Sequence, residues 1–253
     1  MQTITLSNQK GGVAKTTTAH ILAAGLHNRN YKILIVDLDP QCNLSYSCGI
    51  DMMKVEHTLY DVFKGNAISK QAITSVKQGF DIVSGGLTLA GADMDFTQTG
   101  REYMLREALK EVSDDYDYCI IDTPPTLGIL TVNALTASQT IIIPMTADIY
   151  AIQGLSQLQG LIKNVRKYCN PDLSIAGLLL TRYSERTVIS RDLKRYIEEA
   201  AQRLETKLFQ STIREAVAVR ESQLIVSDIF TESPKSKVAK DYNDFIDEFL
   251  KGR

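Results

Sequence analysis

Short runs rich in β-branched residues alternate along the chain with longer stretches whose apolar positions recur at helical spacing. Residues 3–8 (TITLSN), 32–37 (KILIVD), 80–84 (FDIVS), 118–122 (YCIID), 140–145 (TIIIPM) and 174–181 (SIAGLLLT) predict strands, and 207–213 (KLFQSTI) predicts a last one. Several are apolar at successive positions, the mark of parallel strands covered on both faces. Helices are expected over 15–29, 101–113, 151–168, 187–204 and 236–251. Strand followed by helix, repeated, predicts an α/β fold with a doubly wound, mostly parallel sheet flanked by helices. Residues 44–75 have weaker periodicity and read as an insertion with short helices. No repeat, low-complexity tract or Pro/Gly/Ser linker divides the chain, so residues 1–253 are expected to form one domain. Val238, Tyr242, Phe245, Ile246, Phe249 and Leu250 make one stripe in the last helix, which is therefore expected to pack on that domain.

Composition narrows the class. With 44% hydrophobic and 23% charged residues over 253 positions, the chain is long enough for one large globular α/β domain. A net charge of −2 excludes a general polycation, so any nucleic-acid contact must come from a local patch. The four cysteines form no C-x-x-C pair; reduced thiols, mostly buried, are expected in place of a metal site. The N-terminal segment has no basic start followed by an apolar core, and no stretch reaches the roughly 18 apolar residues of a membrane span. A cytoplasmic protein is expected.

The first predicted strand runs into NQKGGVAKTTTAH (8–20) and then into an apolar-periodic helix. Strand, glycine turn and helix start together make a phosphate loop, in which backbone N–H groups and the positive helix end face an anion. The usual pattern G-x-x-x-x-G-K-[ST] fails, because Gln9 and Ala14 occupy its glycine positions. Gly11 and Gly12 let the backbone approach phosphate closely, Lys15 reaches the terminal phosphates, and the Thr16 hydroxyl ligates Mg2+. Ala14 is expected at negative φ, where its methyl group costs nothing.

KGGVAKTT resembles the deviant Walker A motif, K-G-G-x-x-K-[ST], of the ParA/Min superfamily of P-loop ATPases. The resemblance implies that Lys10, Gly11, Gly12, Val13, Ala14, Lys15, Thr16 and Thr17 bind ATP. It also makes Lys10 the lysine that crosses a dimer interface to the partner's phosphates. VDLDPQCN (36–43) resembles the family's D-x-D-P-Q element. There Asp37 supports the Mg2+ shell and Asp39 orients the attacking water; two residues apart on an extended end, they are expected to point the same way. YCIIDTPPT (118–126) resembles the third motif, with Asp122 bound to Mg2+ through water and Thr123-Pro124-Pro125 as the γ-phosphate sensor. Each motif sits at the end of a predicted parallel strand, where such sheets bind ligands.

Relatives in this superfamily divide by partner. A redox relative bridging an iron–sulfur cluster needs interface cysteines, and Cys42, Cys48 and Cys119 match no such arrangement. A Min-type membrane-surface ATPase needs a basic amphipathic tail, whereas the polar face of 236–251 carries Asp241, Asp244, Asp247 and Glu248. A ParA/Soj-type partition ATPase needs a basic patch. Residues 182–240 carry twelve basic and nine acidic residues in a chain of net charge −2, with Arg186, Arg191, Lys194, Arg195 and Arg220 as the expected DNA contacts. IREAVAVRESQ (213–223) resembles the family's loop after the last strand, and Arg182 and Arg214 are assigned to the nucleotide on that basis. The phosphate loop begins at residue 10, leaving no room ahead of it for a helix-turn-helix. The resemblance thus implies an ATP-dependent homodimer that binds nonspecific double-stranded DNA, is nucleoid-associated, and is stimulated by a ParB-type partner. A Min-type membrane-surface positioning ATPase and a ParA-like ATPase positioning a protein cargo are the alternatives.

Overall fold

The apolar runs become strands β1 (Gln2–Leu6), β2 (Ile33–Asp37), β3 (Ile73–Ser75), β4 (Asp81–Val83), β5 (Tyr118–Asp122), β6 (Thr140–Met145) and β7 (Ser174–Leu180). The computed structural model describes residues 1–184 and 188–252, without the side chains of 149–153 and 188–191. The strands form one sheet in the order β3-β4-β2-β5-β1-β6-β7, parallel throughout except for β3 against β4. Periodicity of two distributes each apolar run to two faces. Ile33 and Ile35 enter one core cluster, with Ile4, Leu6 and Ile120; Leu34 and Val36 enter another, with Cys119 and Ile121. That is why these strands read as continuous rather than alternating.

Helices α1 (Lys15–His27), α2 (Asn43–Ser47), α3 (Leu59–Lys64), α4 (Ala92–Asp95), α5 (Met104–Lys110), α6 (Ile129–Ala137), α7 (Ile149–Tyr168), α8 (Val188–Arg203), α9 (Val217–Leu224), α10 (Ile229–Glu232) and α11 (Lys237–Lys251) cover the sheet. The α11 stripe behaves as expected: Val238, Tyr242, Phe245, Ile246 and Phe249 are buried in the cluster that also holds Ile21, Leu22 and Leu26 of α1.

Four expectations need correction. Residues 207–213 form no strand; Leu208 makes a single parallel bridge to Leu178, because the segment turns away to meet α11. The stretch 44–75 contains a strand after all, β3, too short to show alternation and lying at the sheet edge. The helix expected over 101–113 divides into a 3-10 turn, Arg101–Tyr103, and α5. The segment AVAV between Arg214 and Arg220 is largely helical, since Val217–Leu224 forms α9.

Register places the chemistry. Leu6 and Asp37 both pair with Asp122, so the carboxyl ends of β1, β5 and β2 finish in one row. Ligands of open α/β sheets bind at such a row, where connections leave toward opposite faces.

Candidate nucleotide site

Beyond Leu6 the chain is pinned before it turns. The Asn8 amide donates to the Pro144 carbonyl at 2.8 Å and its oxygen accepts the Lys10 N–H at 3.0 Å. The buried Val13 side chain anchors the middle of the loop, and its carbonyl accepts the Thr181 hydroxyl at 3.0 Å. Gly12 has φ +74°, and a Cβ at Gly11 or Gly12 would meet nothing within 4 Å. The loop is therefore an open cradle, bare enough for phosphate oxygens to reach the backbone. α1 has neither a side-chain cap nor an acidic residue in its first turn, which leaves its leading N–H groups for an anion.

Ala14 does not have the negative φ expected of it: it sits at φ 62°, ψ 33°, in the left-handed region, as the residue before α1. Its carbonyl already accepts the Thr18 N–H at 2.9 Å, so the loop must turn left-handed there to start the helix on time. The methyl group costs about 1–2 kcal/mol in that conformation. Ala14→Gly should raise stability by about 1 kcal/mol, after the larger unfolded-state entropy of glycine is subtracted. A thermal melt lower than that of the parent chain would contradict the strain.

Lys15 is buried, and its Nζ donates to the Lys10 carbonyl at 3.2 Å, curling over the loop. Burial lowers its pKa, while Asp122 and Asp39 pull the other way. Asp122 is fully buried, and among the described residues neither carboxylate oxygen has a well-formed hydrogen bond. Burial, then the charge of Asp37, push its pKa well up; the Thr16 hydroxyl and Lys15 only partly offset this. Two orphaned carboxylate oxygens beside a threonine hydroxyl fit a hydrated divalent cation, and Thr16 and Asp122 are the residues that would hold it.

Asp37 and Asp39 do not act alike. Asp37 is fully buried; its Oδ2 accepts the Ser45 N–H at 2.9 Å and hydroxyl at 2.8 Å, and its Oδ1 accepts the Asp39 N–H at 3.2 Å. Burial is the first cause of its pKa being pushed up to about 6. Its oxygens fix the turn into α2. Asp39 instead lines a cleft of about 580 Å³ with Gly11, Lys15, Thr16, Asn43 and Pro125. Its Oδ1 accepts the Gln41 N–H at 2.9 Å, which holds the carboxylate over the loop. Thr123 ties the third motif to β1 through the Leu6 carbonyl at 2.9 Å.

Lys10 turns away from its own cleft. Its ammonium pairs with Asp148 and donates to the Thr146 hydroxyl at 3.3 Å, and about a third of the side chain stays exposed. Asp148 and Thr146 were not expected from sequence. Their place just beyond β6, at the carboxyl end of a parallel strand, was the available signal.

A second cavity, about 430 Å³, adjoins the cleft and shares Gly12, Ala14, Thr17 and Gln223 with it. Arg182 and Arg214 line it, as do Ile213, Val219 and Tyr242. Both arginines are already engaged. Arg182, at φ 51°, pairs with Glu215 at 2.7 Å and approaches the Gly12 carbonyl at 3.5 Å. Arg214 grips Asp241 in a two-point fork at 2.6 and 2.7 Å. Arg220 shares Glu215 at 3.0 Å, so it is not an unscreened base. On α8, Arg195 is exposed and Lys194 lies 6.0 Å over the Tyr183 ring. Arg186 and the Arg191 side chain lie outside the described residues.

The four cysteines are free, with Cys42, Cys48 and Cys119 buried. Among the described residues no cluster of His, Cys, Asp and Glu could hold a metal by itself, and no helix is long and apolar enough to cross a membrane.

A family model described as an AAA domain, AAA_31, matches residues 1–175. The sporulation initiation inhibitor protein Soj of Bacillus subtilis is 38% identical over 247 residues, covering 97% of this chain and 96% of Soj. The chromosome partitioning protein ParA of Myxococcus xanthus is 36% identical over 241 residues, covering 94% of this chain and 84% of that protein. A solved structure from Mycobacterium smegmatis, described as cobyrinic acid a,c-diamide synthase with bound ATP analog and magnesium, superposes with TM-score 0.88. It is 35% identical and covers 99% of this chain and 94% of its own. With two lysines on one glycine loop, acids at the ends of β2 and β5, and these relatives along nearly its whole length, the chain belongs to the AAA_31 family and, within it, to the ParA/Soj-type partition ATPases.

Proposed function

We propose that the chain hydrolyses ATP with magnesium to drive DNA partition: ATP closes two copies face to face, and the closed pair holds nonspecific DNA. One observation carries this reading. Lys15 lines the chain's own cleft, whereas the Lys10 ammonium, on the same loop, is held outside that lining by Asp148 and Thr146. Two lysines with divergent directions fit a triphosphate contacted from both copies, one lysine from each.

The chain's own groups divide the work. The N–H groups of the loop and of the first turn of α1 receive the β- and γ-phosphates, and Lys15 shifts from the Lys10 carbonyl onto them. Asp39 accepts a hydrogen bond from a water placed in line with the γ-phosphorus, and Pro125 limits the freedom of the opposite wall. Thr16 and Asp122 would hold magnesium, which would supply positive charge against what develops in transfer. Intrinsic turnover is slow in this scheme, and a ParB-type partner with a basic segment accelerates it.

DNA is the favoured partner on two grounds. The apolar stripe of α11 is committed to the core, leaving an acidic face that anionic lipid repels. On α8, Arg195 is exposed and Lys194 lies over the ring of Tyr183, just past the end of β7. Retardation of a nonspecific duplex with ATP and magnesium, absent with ADP, is the expected result, with no sedimentation on anionic vesicles. Vesicle binding without DNA binding would favour a membrane-positioning ATPase.

Replacing Arg191, Lys194 and Arg195 together by alanine should flatten the log–log salt dependence of DNA binding by about three units per copy. An unchanged slope would move the DNA surface elsewhere.

A further inference from the structure

The segment between β7 and α9 is held from two sides. Leu208 and Phe209 meet Leu178 of β7, with Phe209 N–H donating to its carbonyl at 2.9 Å, and Ile213 N–H donates to the Leu180 carbonyl at 2.8 Å. The backbone groups between these anchors turn to α11. Glu248 accepts the Gln210 and Ser211 N–H groups, each at 2.8 Å. Asp241 accepts the Arg214 N–H at 3.1 Å as well as the Arg214 guanidinium. Asp241 and Glu248 are seven residues apart, two helical turns, and therefore share one face. Next to Asp241, the buried Tyr242 forms part of the second cavity's wall and its hydroxyl lies 3.5 Å from the Thr18 hydroxyl of α1.

The second cavity abuts the phosphate loop through Gly12 and Ala14, on the side away from Asp39. Beside three arginines and Glu215, its walls are apolar at Ile213, Val219 and Tyr242 and polar at Thr17 and Gln223, and the apolar part offers a face to a flat heteroaromatic ring. We propose that Asp241 and Glu248 of α11 are the positioning residues of a nucleoside pocket: they fix residues 210–214 so that the base, rather than the triphosphate alone, contributes to affinity. This rests on the ATP reading of the adjoining cleft. Three N–H groups and a guanidinium committed to two carboxylates give the segment one conformation. Without them it would have to be ordered at each binding event. Neither acid touches the phosphate loop, so their effect should fall on the base side alone.

The test separates base from phosphate. Magnesium-ATP and magnesium tripolyphosphate are titrated calorimetrically into the full chain and into Asp241→Ala, Asp241→Asn and Glu248→Gln. In Asp241→Ala the ATP dissociation constant should rise about tenfold, while tripolyphosphate stays within about twofold. Asp241→Asn, which keeps an acceptor for the Arg214 N–H, should recover part of the loss, and Glu248→Gln should show a smaller loss of the same kind. In turnover the change should appear in KM, with kcat at saturating ATP unaltered. Losses that are parallel for both ligands, as a merely structural role would give, overturn the proposal. So does an ATP preference retained in all three variants, which leaves the ATP reading itself intact. A wild-type chain that binds ATP no more tightly than tripolyphosphate overturns the pocket and, with it, the role of α11.

Discussion

Lys10→Ala should leave a folded monomer that binds ATP but no longer pairs with a second copy. The ion pair it removes is partly exposed, so the stability cost should stay below about 1 kcal/mol. Loss of pairing should be far larger. Removing one member of a desolvated, hydrogen-bonded charge pair at an interface costs about 2–5 kcal/mol. Two-fold symmetry applies this twice, so the dimer should weaken by about a thousandfold or more. Size-exclusion or sedimentation with magnesium and a non-hydrolysable ATP analogue reads this directly. A variant that still elutes as a dimer at the parent concentration would show that Lys10 belongs to its own subunit.

Asp39→Ala acts on the opposite side of the cycle. The carboxylate lines the cleft and accepts the Gln41 N–H, and its proposed role is to orient water. Its removal should lower kcat by about 10²–10⁴. Nucleotide binding should survive, because the loop N–H groups and Lys15 are untouched. The variant should therefore accumulate as an ATP-bound dimer that stays on DNA. Undiminished phosphate release would take Asp39 out of the catalytic step and transfer the water to another group in the cleft.

The motifs were legible because each lies where a buried apolar strand ends, and burial on both faces leaves a strong pattern. TIIIPM and YCIID become β6 and β5 with unchanged bounds. What escaped was set by tertiary contact. β3 is three residues at the sheet edge, with only Ile73 partly buried, so it carries no alternation. α9 was hidden because its first and last apolar residues, Val217 and Leu224, are exposed while Ala218 and Val219 pack on the core, which leaves only a short stripe. Residues 207–213 have strand composition, but between the Phe209 and Ile213 bonds to β7 the Gln210 and Ser211 N–H groups are claimed by the Glu248 carboxylate, nearly forty residues further on. Ala14 misled for another reason. A left-handed alanine is strained, yet the chain adopts it where the Ala14 carbonyl must accept the Thr18 N–H to begin α1. The divergence of Asp37 from Asp39 depends on Ser45, a partner that no two-residue spacing reveals.

If ATP closes two copies with Lys10 crossing over, as proposed, its pairing with Asp148 limits how tightly they adhere. A residue that had no partner beforehand would contribute its full attraction to the neighbour's phosphates. Here the ammonium must abandon one anion to reach another, so only the difference between the two drives association. Loss of the γ-phosphate then makes the original carboxylate the better companion. The subunits can separate without any additional force to pry them apart, each lysine simply going home.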